Sequence, residues 1–256
     1  MPVIMSSTHQ RCALAAGQAH VWLARPNEIS EPALLTAYAG LLSRDEDARR
    51  CRFRLEHHRH TFLVAHALVR ATLSRYSHVK PQDWQFRLNA YGRPEVADDK
   101  SDLRFNLSHT DGLVACAVSR VAQIGVDVES SERKVDIGVA DRFFSAPEIA
   151  DLKCRPEHIR RTRFLEYWTL KESYIKARGM GLALPLGGFA FALEDGRDPE
   201  ISFLDGIDDD PGRWRFRLLD AVPGFVMALC LEVSARGDAK PEPMQLEIRE
   251  TTPLRC

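Results

Sequence analysis

The residues best placed for chemistry are three carboxylates and two lysines. In Gln123-Ile124-Gly125-Val126-Asp127-Val128-Glu129, apolar and small or polar residues alternate as they do on a β-strand. Ile124, Val126 and Val128 then share one face, while Gly125, Asp127 and Glu129 share the other. The two carboxylates stand about 6.6 Å apart along such a strand and repel each other. Gly125 leaves room for something to approach the backbone beside them. Further on, Phe164, Trp168, Glu172 and Lys176 recur at every fourth position and form one row of a helix. The aromatic half of that row faces a core and draws Glu172 and Lys176 inward, where charge must be paired or metal-bound. Readings without function are a half-exposed strand with a solvated acidic edge and an intrahelical Glu172–Lys176 pair. Together, Asp127, Glu129 and Glu172 suit a hard divalent cation such as magnesium, which takes oxygen ligands alongside water and substrate phosphate. Lys171 and Lys176 are then at hand to neutralise phosphate oxygens.

Two further segments carry candidates. Phe105-Asn106-Leu107-Ser108-His109-Thr110-Asp111-Gly112 reads as a polar turn before a hydrophobic strand. Ser108 lacks the Gly-x-Ser-x-Gly elbow of a serine hydrolase, so Ser108 and His109 are read as hydrogen-bonding groups for phosphate or backbone. Residues 41–60 hold six Arg, four acids and three His. The alternatives for this cluster are a solvated charged face and an anion site.

The elements that must hold these residues are legible in outline. A strand is expected at residues 20–25, a helix at 31–42 and a buried helix at 61–76. Alternation at 84–88 runs into the turn Asn89-Ala90-Tyr91-Gly92-Arg93-Pro94. Strands at 113–119 and 123–129, separated by a short connection, predict a hairpin. Helices follow at 139–144, 147–152 and 159–177, the last ended by Gly179. Strands return at 189–193, 201–204, 214–219 and 225–233, and the charged, Pro-containing end reads as a tail. Helices followed by strands occur twice, with a seam near residues 120–123, so the class is α+β in two halves. No residue-level repeat accompanies that order.

Composition removes several classes of function. Thirty-five Lys+Arg against 36 Asp+Glu leave a net charge of −1, without the basic bias of a nucleic-acid binder. No apolar run is long enough to span a bilayer. Residues 1–10 lack a hydrophobic signal core, and the six cysteines are scattered, with no Cys-x-x-Cys pair. A soluble cytoplasmic protein without disulfides or a zinc knuckle is expected.

In order and spacing, these segments resemble the Sfp-type 4′-phosphopantetheinyl transferases, which move phosphopantetheine from coenzyme A onto a serine of a carrier protein. The two hallmark motifs are Ile124-Gly125-Val126-Asp127-Val128-Glu129 and Trp168-Thr169-Leu170-Lys171-Glu172-Ser173-Tyr174-Ile175-Lys176. Around them stand Tyr91-Gly92-Arg93-Pro94, Phe105-Asn106-Leu107-Ser108-His109, Arg142-Phe143-Phe144-Ser145 with Glu148, and Gly179-Met180-Gly181-Leu182. The resemblance covers about residues 20–232. It implies two similar α+β halves, residues 1–122 and 123–234, with residues 235–256 as a tail and coenzyme A bound in the cleft between the halves.

By the same resemblance, Asp127, Glu129 and Glu172 surround magnesium, with manganese as a substitute. Asp127, Lys171 and Lys176 lie against the coenzyme A phosphates. Gly92, Arg93 and Pro94 sit against the adenine, although the family more often has Lys where Arg93 stands. Ser108 and His109 hold the diphosphate or the 3′-phosphate region, and Arg49, with Arg52 second, clamps the 3′-phosphate. Glu148 and Lys176 assist deprotonation of the carrier serine, with a metal-bound water as the alternative base, and Glu172 counts as catalytic beside them. The expected enzyme is thus a magnesium-dependent holo-[acyl-carrier-protein] synthase acting on apo carriers of fatty-acid, polyketide or nonribosomal peptide synthesis. It is expected to be a monomer with no nucleic-acid or membrane partner. A metal-dependent nucleotide or diphosphate hydrolase and a non-catalytic coenzyme A- or carrier-binding module are the alternatives.

Overall fold

The computed structural model describes residues 12–99, 101–204, 206–233 and 244–255. The first half opens with β1 (Gln18–Ala24), followed by α1 (Pro32–Ala39), which has Pro32 in its first turn. Ser43 and Glu46 close a capping box that starts the highly charged α2 (Arg44–Cys51). The long α3 (Glu56–Ser74) buries Phe62 to Ala65 and Ala67 to Leu73. A short hairpin of β2 (Phe86–Leu88) and β3 (Pro94–Val96) precedes a longer one of β4 (Leu103–Thr110) and β5 (Leu113–Arg120). The longer hairpin turns at Gly112, whose φ of +82° suits glycine.

The second half repeats the plan of a small sheet under a long helix. It runs through β6 (Ile124–Ser130), α4 (Ala140–Phe143), α5 (Ala146–Cys154) and α6 (Glu157–Arg178). β7 (Phe189–Ala192) and β8 (Glu200–Phe203) form a two-stranded ribbon, and β9 (Trp214–Leu219) and β10 (Phe225–Glu232) complete the half. β11 (Gln245–Glu250) returns to the first half. The main sheets have the strand orders β11-β1-β5-β4 and β6-β10-β9.

Three apolar clusters hold this α+β fold together. One lies between α3 and the first sheet, and one between α6 and the second sheet. The third joins the sheets face to face, with Val21, Ala115 and Ala117 against Val126, Val128 and Leu229. The helices therefore cover the outer faces of two stacked sheets.

Three expectations are corrected here. The strands at 113–119 and 123–129 do not form a hairpin. β5 already has β1 on one edge and β4 on the other, so β6 crosses to the second sheet and pairs with β10. Residues 105–110 are not a polar turn but part of β4: Leu103 and Phe105 face the α3 core, while Asn106 and Ser108 are buried on the opposite face. The end of the chain is not a tail. β11 pairs in parallel with β1, with Leu246 and Ile248 packed on the inter-sheet cluster. The buried Tyr38 hydroxyl donates to the Pro253 carbonyl at 2.7 Å.

Candidate active site

Gly125 determines how closely α6 crosses β6. A Cβ at this position would lie 1.9 Å from the Ser173 carbonyl oxygen and 2.6 Å from the Ala177 nitrogen. The room that Gly125 leaves in the sequence is therefore filled by the helix backbone, which carries Glu172 and Lys176 over the face that displays Asp127.

The edge of β6 away from β10 faces β4 and is satisfied by side chains instead of a strand ladder. Asn106 Oδ1 accepts from the Val126 amide at 3.0 Å, and Ser108 Oγ accepts from the Val128 amide at 3.3 Å. Ser108 Oγ also donates to Asp127 Oδ1 at 2.9 Å. Lys176 Nζ reaches the same centre, donating to Asp127 Oδ1 at 2.6 Å, Ser108 Oγ at 2.9 Å and the Val126 carbonyl at 3.3 Å. Asp127 is 5% exposed, and its other oxygen, Oδ2, is buried with no donor.

The other two carboxylates flank this centre. Burial first, and then the Asp127 charge, push the Glu172 carboxyl above its ordinary range, with Lys176 pulling the other way. The same two causes raise Glu129, which pairs with Arg133. Among the described residues, no group of three or more His, Cys, Asp or Glu has the spacing to hold a metal ion. The three carboxylates thus share one electrostatic environment without forming a ready-made cage. Their chemistry still fits magnesium: all donors are oxygens, and the buried Asp127 Oδ2 has an unused lone pair.

Two expected contacts are corrected by burial. Lys171 and Glu148 are both 0% exposed and pair at 2.8 Å. Lys171 Nζ also donates to the Leu186 carbonyl at 2.8 Å and the Phe189 carbonyl at 2.7 Å, which engages all three of its protons. Glu148 accepts from the amides of Ser145 and Phe191 and from the Ser145 hydroxyl. Neither side chain reaches the Asp127 centre, so a phosphate contact by Lys171 and proton removal by Glu148 both lack an approach. The cause is helical phase: Lys171 points to the α5–β7 side of α6, and Lys176 points to β6.

Arg93 is also held by the protein. Its guanidinium binds the Lys176 and Ala177 carbonyls, Glu95 and Gln123, which leaves it committed to protein partners. Gly92, at φ +86°, turns the chain before the exposed Pro94. His109 is exposed at the end of β4. Packing around its ring, then the Lys176 and His58 charges, lower its pKa, which places it within electrostatic reach of the centre. Arg49 and Arg52 are exposed on and after the last turn of α2, and Arg49 lies 5.9 Å over the Phe62 ring.

The structure therefore brings together Asp127, Ser108 and Lys176, with Glu129, Glu172 and His109 around them. Asn106 and Arg133 belong to the same surroundings and were not singled out in the sequence. Reading 103–110 as an alternating strand exposes Asn106 as a buried polar group beside Ser108; Arg133 carries no such signal.

Known proteins resemble this chain over most of its length. A model of the 4′-phosphopantetheinyl transferase superfamily matches residues 123–230, and one of the 4′-phosphopantetheinyl transferase N-terminal region matches residues 29–121. The chain is 36% identical to the 4′-phosphopantetheinyl transferase HetI of Nostoc sp., over 66% of this chain and 72% of that protein. It is 32% identical to the 4′-phosphopantetheinyl transferase Sfp of Bacillus subtilis, over 72% and 80% of the two chains. With the 4′-phosphopantetheinyl transferase ffp of Bacillus subtilis the identity is 33% over 85% and 92%. With both halves matched by family models and relatives aligned over most of their length, the chain belongs to the Sfp-type 4′-phosphopantetheinyl transferase family.

Proposed function

We propose that this enzyme transfers 4′-phosphopantetheine from coenzyme A to a serine of an apo carrier protein and releases 3′,5′-ADP. The observation that carries this reading is the Asp127 centre, where one carboxylate oxygen binds Lys176 and Ser108 and the other is buried without a donor. Asp127, Glu129 and Glu172 are the residues that would hold magnesium, which, when bound, supplies neutralisation of diphosphate charge.

This chain's own groups do the rest. Residues 1–122 supply Ser108, His109 and the exposed Arg49 and Arg52 for the phosphates of coenzyme A; residues 123–234 supply the carboxylates and Lys176. The Lys176 ammonium, 25% exposed, exchanges its longest bond, to the Val126 carbonyl, for a phosphate oxygen. The serine oxygen attacks the β-phosphorus, the new O–P bond forms as the bond to 3′,5′-ADP breaks, and the serine proton passes to a cleft carboxylate. Glu172, one helical turn from Lys176, is the carboxylate assigned to accept it in this reading, which the burial of Glu148 against Lys171 supports. Rate acceleration of this kind rests on positioning and charge neutralisation.

The substrates are apo carriers of fatty-acid, polyketide or nonribosomal peptide synthesis, and the enzyme works as a cytoplasmic monomer. Among the described residues, no helix is long and apolar enough to cross a membrane. The test incubates a panel of apo carriers with the protein, coenzyme A and magnesium and weighs the products. A mass gain of one phosphopantetheine supports transfer; coenzyme A cleavage without carrier modification points to a hydrolase and overturns it.

A further inference from the structure

The last carbonyls of a helix have no partner within it. In α6 the Gly179 amide donates to the Ile175 carbonyl at 2.9 Å and the Lys176 carbonyl at 3.2 Å, and the first half of the molecule supplies further donors. Arg93 Nη1 donates to the Lys176 carbonyl at 3.0 Å and the Ala177 carbonyl at 2.8 Å, and Asn89 Nδ2 donates to the Gly179 carbonyl at 2.8 Å. The second fork nitrogen, Nη2, holds Glu95 and Gln123, each at 2.8 Å. Gly179 admits the guanidinium: its φ is +65°, and a Cβ there would lie 2.7 Å from Arg93 Cζ. A cation at the negative end of the helix is favourable, and the Arg93 side chain is only 14% exposed.

Lys176 is therefore fixed at both ends. Its carbonyl is held by Arg93 of the β2–β3 hairpin, and its ammonium is held by Ser108 of β4 and Asp127 of β6. We propose that Arg93 is a positioning residue that sets the reach of Lys176 to the Asp127 centre, so that the first half aligns a reacting group of the second. The proposal rests on the reading of Lys176 as a phosphate-neutralising group. Lysine at position 93 would keep the charge but replace a planar fork with a single nitrogen, which cannot hold both carbonyls and both side chains in the same geometry.

The test compares Arg93→Met, Arg93→Lys, Lys176→Ala and the double variant Arg93→Met/Lys176→Ala for kcat, KM and Kd for coenzyme A, and melting temperature. Arg93→Met should lower kcat by about 10–100-fold, the scale of a displaced catalytic group, with KM and Kd for coenzyme A within about twofold. Arg93→Lys should be intermediate. In the Lys176→Ala background, Arg93→Met should cost no more than about twofold, because the group it positions is gone. Losses that multiply in the double variant, or a raised Kd with kcat retained, overturn the proposal. If Lys176→Ala loses turnover and Arg93→Met does not, the proposal alone falls. If Lys176→Ala keeps full turnover, the reading of Lys176 fails and the proposal falls with it. Should Arg93→Met not fold, Arg93→Lys carries the same comparisons, with its intermediate kcat and the non-additivity as the deciding readouts.

Discussion

Lys171 Nζ stands 2.8 Å from Glu148 Oε2, and neither side chain reaches solvent. The pair ties α6 to α5 and to the carbonyls of Leu186 and Phe189. Burial lowers the Lys171 pKa to about 8, against the opposing pull of Glu148. Lys171→Met and Glu148→Gln each leave an unmatched buried group, so each should destabilise the protein by about 3–5 kcal/mol. The double change Lys171→Met/Glu148→Gln should recover part of that loss, because no buried charge is then left unmatched. Denaturant unfolding checks this; a raised KM for coenzyme A at full stability would restore Lys171 to the phosphate site.

The approach of α6 to β6 predicts the fate of Gly125→Ala. The added methyl falls on the Ser173 carbonyl and the Ala177 nitrogen, so the helix must move outward. Overpacking of this kind costs about 1–3 kcal/mol or more. Because Asp127 rides on the strand and Lys176 on the helix, turnover should drop at least about tenfold even where the variant stays folded. Wild-type kcat would show that the helix position is not critical.

The carboxylates should behave asymmetrically. Clustering of charge in the sequence predicts that removing any one leaves the metal-free protein as stable or more stable. The geometry preserves that for Glu172→Gln, since burial and Asp127 already disfavour its charge. It reverses it for Asp127→Asn, which weakens the bonds to Lys176 and Ser108 and should cost about 1–3 kcal/mol. Both variants should lose at least about a hundredfold in turnover. Magnesium should raise the melting temperature of the wild type and leave that of Asp127→Asn unmoved. Full activity in either variant removes that residue from the site.

The exposed Arg49 and Arg52 are expected to clamp the 3′-phosphate of coenzyme A. The wild type should then bind 3′-dephospho-coenzyme A more weakly, by about 1.5–3 kcal/mol, and replacing the responsible Arg by Ala should largely erase the difference. Equal binding of the two ligands by the wild type, measured by calorimetry, would end the assignment.

His20 gives the first half a pH dependence. Trp22 Nε1 donates to the Tyr76 hydroxyl at 2.7 Å, so that hydroxyl is free to donate to His20 Nδ1, also at 2.7 Å. The ring proton then sits on Nε2, 3.3 Å from Glu247 of β11. Burial lowers the His20 pKa below 6.5, outweighing Glu247. As pH falls through 6.5 the unfolded chain takes up the proton first, so stability present above 6.5 is lost below it. Melting temperature should fall between about pH 7 and 5 in the wild type and less steeply in His20→Gln. Equal slopes would assign the effect elsewhere.

What was legible in the sequence was local. Alternation put Gly125, Asp127 and Glu129 on one face of a strand, and four-residue spacing put Glu172 and Lys176 on one row of a helix ended by Gly179. Both patterns depend only on backbone period, so both appear in the fold. Strand pairing was less accessible. The short link at 121–123 looks like a hairpin turn, yet the edges of β5 are filled by β1 and by β4, whose polar face resembles a turn. β11 was hidden because its six residues gain their place only against β1, which lies far back in the chain.

Charge type was visible in the sequence, but the partner of each charge was not. Lys171 and Lys176 differ by five residues, enough on a helix to point one into a sealed core beside Glu148 and the other at Asp127. Arg93 reads as a cation on a ligand-facing turn until α6 ends against it. The sequence by itself determined which side chains share an element face, because helix and strand periods are local properties. Only the tertiary structure decided which of those charges face the cleft, which are buried as pairs, and which cap a neighbouring helix, because desolvation and pairing depend on elements distant in the chain.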